Sequence, residues 1–226
     1  MNLHHLYFDF GGCIDSPGIH TRTLFFREFV GQGILPPEQR EAFQEAYTLA
    51  DRKLMQEGLA KDLGLGDFNR LNARLIEEFL KTGAHERVIE AADEVTALQA
   101  NCLKHNHGVL QSLAQEYPLG IISNFTGNLE IILRDFDLRG FFQHVTESFY
   151  AGASKPEEKI FLQALGKQGS APEHCLFVGD NPVNDIAPAK RLGMKTALIH
   201  VPGEKRECGA DFYLTDLSEL ASLIRS

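Results

Sequence analysis

The chain has 226 residues, with 31 acidic against 22 basic side chains, a net charge of −9 and a hydrophobic fraction of 43%. That length holds one sizeable core with an inserted subdomain, or two small domains. The negative balance argues against nucleic acid or an anionic membrane surface as a partner, and no apolar run reaches the length of a membrane span. In chain order, a short buried strand is expected over 3–8. From about 19 to 102 the composition shifts to Glu, Gln, Arg, Leu and Ala, with apolar residues at helical spacing such as Leu24, Phe25 and Val30, then Leu71, Leu75, Ile76 and Phe79. Gly58, Gly64, Gly66 and Gly83 punctuate this block, which predicts four or five helices and no strand.

Beyond residue 107 helix and strand alternate. Helices are expected over 109–117, 127–136, 157–165 and 184–192. Strands are expected over 119–122, 145–149, 175–178, 196–199 and 212–214, followed by a C-terminal helix. Such alternation implies a mostly parallel sheet covered on both faces, and a helical block too long for a simple crossover implies an insertion after the first strand. Ligands of such sheets bind beyond the carboxyl ends of the strands. Those ends carry Asp9, then Ser123-Asn124, then Ser154-Lys155, then Asp180 with Asp185.

Each of these alone has a plain structural reading, as a helix cap, a turn or a helix start with Pro156 in its first turn. Together they supply a nucleophile, a hydroxyl, an ammonium and further carboxylates on one edge, which suits phosphoryl transfer. A carboxylate can attack phosphorus and split hydrolysis into two steps. Mg²⁺ takes hard oxygen ligands such as Asp9, a backbone carbonyl and Asp180. Ser123 and Lys155 would orient the phosphate oxygens, and Gly11 and Gly12 would let backbone N–H groups approach them.

The segments Phe8-Asp9-Phe10-Gly11-Gly12, Ile122-Ser123-Asn124, Ser154-Lys155-Pro156 and Val178-Gly179-Asp180-Asn181-Pro182-Val183-Asn184-Asp185-Ile186 resemble the four motifs of the haloacid dehalogenase-like hydrolases. The branch is the one with a helical cap inserted after the first motif, and the resemblance covers essentially the whole chain. It implies an α/β fold: a Rossmann-like parallel-sheet core from 1–15 and 105–226, and an α-helical cap from 16–104. It implies Asp9 as nucleophile and Mg²⁺ ligand, with the Gly11 carbonyl and Asp180 as the other protein ligands. Gly11, Gly12, Ser123, Asn124 and Lys155 would bind phosphate, with Asp185 and Asn181 in support.

The chain departs from that pattern at Gly11, where phosphatases of the family carry an Asp that serves as general acid and base. Such catalysis is typically worth ~10²–10⁴ in rate. The chemical step is therefore expected to be slow, limited to good leaving groups, or rescued by another residue. Asp15 is the nearest candidate rescuer, although capping the loop is its simpler role. His20 and Arg22 lie just beyond, either facing the site or on a solvated face, and Cys13 reads as a packing residue.

Three readings follow. The first is a Mg²⁺-dependent phosphatase acting on a small phosphorylated metabolite. The second is a phosphate-binding or regulatory protein with little turnover, and the third a hydrolytic 2-haloacid dehalogenase. A carboxylate at Asp180 argues against the last, because it would repel a departing halide. His4 and His5 read as solvated terminal residues, and His105 and His107 as loop surface. Phe136, Phe141 and Phe142 read as core packing, and Phe25, Phe26 and Phe29 as packing within the cap. The scattered Cys13, Cys102, Cys175 and Cys208 read as reduced thiols. Met1-Asn2-Leu3-His4-His5 lacks the basic-then-apolar order of a signal peptide, so the expected compartment is the cytoplasm.

Overall fold

A computed structural model describes residues 3–204 and 207–225. Met1, Asn2 and Ser226, the outermost residues of the expected core and of the N-terminal reading, lie outside the described residues. The frame is a 6-stranded sheet in the order β3-β2-β1-β4-β5-β6, every pairing parallel. The strands are β1 (His5–Phe8), β2 (Leu119–Ser123), β3 (Phe142–Glu147), β4 (Cys175–Gly179), β5 (Lys195–Ile199) and β6 (Phe212–Leu214). Strands β2 and β4 are buried at every position, as a parallel sheet covered on both faces requires. Phe8 lies opposite Ile121 on one side and Val178 on the other. The chain steps outward from β1 through β2 to β3 and then returns to β4 on the far side, so the topological switch falls beside the end of β1.

Between β1 and β2 stand α1 (Thr21–Gly31), α2 (Arg40–Glu57), α3 (Leu65–Leu80) and α4 (His85–Glu116). Leu24, Phe25, Phe26, Phe29, Phe43, Phe68, Ile76 and Val88 gather here in a hydrophobic cluster separate from the sheet's own. Helix α4 joins the two. Val88, Ala91, Ala92 and Val95 pack in the helical cluster, while Leu103, Leu110 and Leu113 pack in the cluster of the sheet. The helix passes unbroken through residues 104 and 105, where the sequence suggested a boundary. Gly108 sits inside it with open space around its Cα; an interior glycine costs a helix only ~1 kcal/mol, which the two packed ends readily offset.

The remaining helices are α5 (Leu129–Asp135), α6 (Ser148–Ala151), α7 (Glu158–Gln168), α8 (Ala187–Arg191) and α9 (Leu220–Arg225). Four local expectations need correction. The strand expected over 145–149 begins earlier and ends at Glu147, because Ser148–Ala151 turns into α6. The helix expected from 184 is a wide turn at 182–186 followed by α8. His105 and His107 are not on a loop but in α4: His105 Nε2 lies 3.2 Å from Asp216 Oδ2, and the His107 ring meets Phe141 edge-on at 4.9 Å. His5 belongs to β1 and is half-buried, its Nδ1 2.9 Å from Ser170 Oγ, while His4 is exposed as expected, its ring stacked on His174. No helix among the described residues is long and apolar enough to cross a membrane.

Candidate active site

Asp9 continues the ladder of β1, its N–H donating to Val178 O at 2.8 Å. Its carboxylate therefore emerges at the switch point, beside the end of β4 that delivers Asp180. From there Phe10–Ile14 make a wide turn, closed by the Asp15 N–H donating to Phe10 O at 3.2 Å. Gly12 holds φ at +78°, and a Cβ there would stand 2.4 Å from Asp180 Oδ2. Both conditions demand glycine. Gly179 is constrained in the same way, since its Cβ would lie 2.5 Å from Asp185 Oδ2. Gly11 is different: at φ −69° and ψ 124° any residue is comfortable, and its Cβ would meet only Thr21 Oγ1 at 3.7 Å.

Lys155 Nζ stands between two carboxylates, 2.7 Å from Asp9 Oδ1 and 2.7 Å from Asp185 Oδ1. Asp9, Lys155, Asp180 and Asp185 are all buried, Asp185 fully. Burial favours the neutral amine of Lys155, but Asp185 and Asp9 outweigh it and raise its pKa. Asp185 is pushed up by burial against the pull of Lys155, with Asp9 adding to the rise. Asp180 is pushed well above the carboxylate range by burial, then by Asp185 and Asp9. One carboxylate oxygen each from Asp9, Asp180 and Asp185 lies within 4.8 Å of the others. Three buried carboxylates around a single ammonium leave negative charge that a hard divalent cation would answer with oxygen ligands only. The residues present fit Mg²⁺.

The neighbouring residues hold this group in place. Asn124 Oδ1 accepts from Lys155 N at 2.8 Å and its Nδ2 donates to Lys155 O at 2.9 Å. Its amide is thus committed to fixing Lys155, which leaves only its backbone to meet a phosphate. Asn181 Oδ1 accepts from Val183 N and Asn184 N, and Asp185 Oδ2 accepts from Asn181 N at 3.0 Å, so the turn carrying Asp185 is self-capped. The Gly12 N–H, expected at the phosphate, donates instead to Asp15 Oδ1 at 2.7 Å.

Asp15 also accepts from Ser16 Oγ at 2.8 Å and from Gln99 Nε2 at 2.6 Å. Gln99 Oε1 in turn accepts from Asn69 Nδ2 at 2.8 Å. A buried polar chain thus ties the loop after Asp9 to α4 and α3, and Asp15, absent from the cavity lining, caps that loop. Burial raises the Asp15 carboxyl to about 6 against the hydrogen bonds from Ser16, Gly12 and Gln99. Cys13 is fully buried and its thiol is pushed well up, which leaves it no nucleophilic role.

Asp9, Gly11, Ser123, Lys155, Asp180 and Asp185 all border one cavity of about 230 Å³. Its opposite wall comes from the helical insert: His20, Thr21 and Arg22 at the start of α1, Tyr47, Thr48 and Asp51 on α2, Phe68 on α3 and Gln99 on α4. His20 Nδ1 accepts from Arg22 N at 3.1 Å and so caps α1. Tyr47, Thr48 and Asp51 were not legible from sequence, where a polar helix face facing a cavity and one facing water have the same pattern.

Residues 41–199 match the family described as haloacid dehalogenase-like hydrolase. Over 215 residues the chain is 39% identical to haloacid dehalogenase-like hydrolase domain-containing protein 3 of Xenopus laevis, covering 88% of the chain and 85% of that protein. The chain therefore belongs to the haloacid dehalogenase-like hydrolase family. It is also 36% identical over 124 residues to the glyceraldehyde 3-phosphate phosphatase of Pyrococcus furiosus, spanning 51% of each, and a match in Drosophila melanogaster, the rhythmically expressed gene 2 protein, is spanned over only 38% of its length.

Among solved structures, the putative HAD-hydrolase YfnB of Bacillus subtilis bound to magnesium superposes with a TM-score of 0.62 at 21% identity, over 99% of both chains. The L-2-haloacid dehalogenase RSc1362 superposes with a TM-score of 0.66 at 20% identity, over 100% of both. At these identities the likeness is one of fold, and the chemistry is a matter for the site.

Proposed function

We propose that this hydrolase is a Mg²⁺-dependent phosphatase acting on a small phosphorylated metabolite through an aspartyl-phosphate at Asp9, with 16–104 as its cap over a core of 1–15 and 105–226. The observation that carries the reading is Lys155 bridging Asp9 and Asp185 with Asp180 alongside, all buried beneath one cavity. Asp9, Asp180 and the Gly11 carbonyl would hold Mg²⁺, which when bound neutralises the phosphoryl charge and screens it from the carboxylates.

The Asp9 carboxylate attacks phosphorus as the bond from phosphorus to the alcohol oxygen breaks, and the alkoxide leaves with a proton taken from water. A second water then attacks the acyl phosphate as the bond from phosphorus to the Asp9 oxygen breaks, giving its proton to the hydroxide left by the first step, so that inorganic phosphate is released and the carboxylate restored. Lys155, fixed by Asn124, and the Ser123 hydroxyl orient the phosphoryl oxygens. Gly11 supplies no proton, so good leaving groups are favoured.

The reading of a phosphate-binding protein with little turnover draws on that same Gly11. Dehalogenation fits poorly, since Asp180 and Asp185 add buried negative charge where a halide would depart. Phosphate release from an aryl phosphate with Mg²⁺ tests the assignment. Asp9→Asn is expected to lower turnover at least ~10³-fold, and chelation to abolish it. Equal rates from native and Asp9→Asn protein would move the reading to binding.

A further inference from the structure

The cavity wall facing the carboxylates holds two charged side chains, both exposed, that feel each other's charge without closing into an ion pair. Arg22 and Asp51 both border the cavity. Among the described residues neither side chain has a hydrogen-bond or ion-pair partner, although each stands in the other's field. Arg22 occupies the first turn of α1, which carries no acidic residue. A cation there opposes the helix dipole at a cost of ~0.3–1 kcal/mol, so local structure gives no reason for it.

A cavity of about 230 Å³ is on the scale of a small-molecule site. Once the phosphoryl group sits by Lys155, the rest of that molecule must meet this wall. A ligand that expels water without answering Asp51 would strand a carboxylate, and one without an anion would strand Arg22.

We propose that this wall selects the leaving group: the substrate is a small phosphomonoester whose alcohol carries a carboxylate, received by Arg22, and next to it a hydroxyl or ammonium donor, received by Asp51. The planar guanidinium matches a carboxylate in a two-pronged contact. A second phosphate in that place would bring a dianion against Asp51. The assignment rests on the phosphatase reading above, and its test keeps the two apart.

The experiment compares kcat/KM of the full chain with Mg²⁺ on phosphoglycerate (carboxylate and hydroxyl), phosphoglycolate (carboxylate alone), glycerol phosphate (hydroxyls alone) and 4-nitrophenyl phosphate. Phosphoglycerate is expected to lead. Arg22→Gln should lower its kcat/KM about tenfold more than that of glycerol phosphate, and Asp51→Asn should narrow the gap between phosphoglycerate and phosphoglycolate. Glycerol phosphate turned over as well as phosphoglycerate, or equal losses on every ester, would overturn the assignment.

Failure of all esters, the aryl phosphate included, would instead count against the phosphatase reading. Calorimetric binding of phosphoglycerate and glycerol phosphate then decides the present one. Tighter binding of phosphoglycerate that disappears in Arg22→Gln supports it, and equal binding removes it.

Discussion

On the sheet side of the cavity Lys155 lies 2.7 Å from both Asp9 and Asp185, whereas on the helical side Arg22 and Asp51 share the space without forming a pair. The first wall is held by its own fold. Adjacent parallel strands deliver the carboxylates, Asn124 clamps the lysine backbone, and glycines at 12 and 179 leave room for nothing else. The second wall carries charge on side chains that no neighbour restrains. A group whose task is chemistry must be in position before substrate arrives, while a group whose task is recognition can leave its partner to the ligand.

The comparison is broken most directly at Lys155. Removing one partner from a buried charge cluster leaves the others uncompensated, typically at 3–5 kcal/mol. Lys155→Met is expected to lower unfolding free energy by about that amount at neutral pH in metal-free buffer, measured by denaturant titration. A loss under ~1 kcal/mol would show that the carboxylates do not depend on the ammonium.

Next in size is a pH effect. Asp15 titrates at about 6 in the folded chain, above its ordinary carboxylate value, and Asp185 and Asp180 are displaced in the same direction. The native state then holds protons that the unfolded chain has released, so stability declines as pH rises. The window runs from ~4, the unfolded carboxylate range, to about 6 for Asp15. For Asp15 alone the decline is on the order of 2–3 kcal/mol. Metal-free unfolding across this window should show it, and saturating Mg²⁺ should offset it, since a ligand at ~100 times its Kd adds ~2.7 kcal/mol and favours ionised carboxylates. Metal-free stability rising through the window would contradict the assigned burial costs.

The two glycines after Asp9 give opposite signs. Gly12→Ala forces a side chain into the left-handed region and against Asp180, and should cost ~2 kcal/mol or more. Gly11→Ala falls in ordinary backbone with only a van der Waals contact to Thr21 Oγ1, and should stabilise by ~0.4–1 kcal/mol through the unfolded state. Thermal melts of both variants separate a glycine kept for packing from one whose side chain is simply missing.

The sheet side was the readable side. An apolar strand ending in Asp, Ser-Asn or Gly-Asp reads equally as a cap or a turn when taken alone, but several in succession on a parallel sheet point to one edge, and those ends do meet around Asp9. What escaped were uses that depend on what packs nearby. The Gly12 N–H serves Asp15 because Gln99, many residues away, draws Asp15 inward. Phe149 and Tyr150 have strand-forming side chains yet follow the end of β3 as part of α6. Helix α4 shows no break at 105 because leucines beyond it belong to the other core. On α2, Tyr47, Thr48 and Asp51 look like any solvated helix face until a second wall stands opposite.

That second wall gives the smallest expected effect and the sharpest contrast with Lys155. With no hydrogen-bond or ion-pair partner among the described residues, Arg22 contributes little to the folded state, and the dipole it opposes makes its removal slightly favourable. Arg22→Gln is expected to shift unfolding free energy by no more than ~0.5 kcal/mol, or slightly to raise it, in the same denaturant titration that shows the large loss at Lys155. A loss above ~1.5 kcal/mol would mean that Arg22 is bound within the protein after all. Its charge would then be answered before any ligand arrives, and both cavity walls would be built on the same principle.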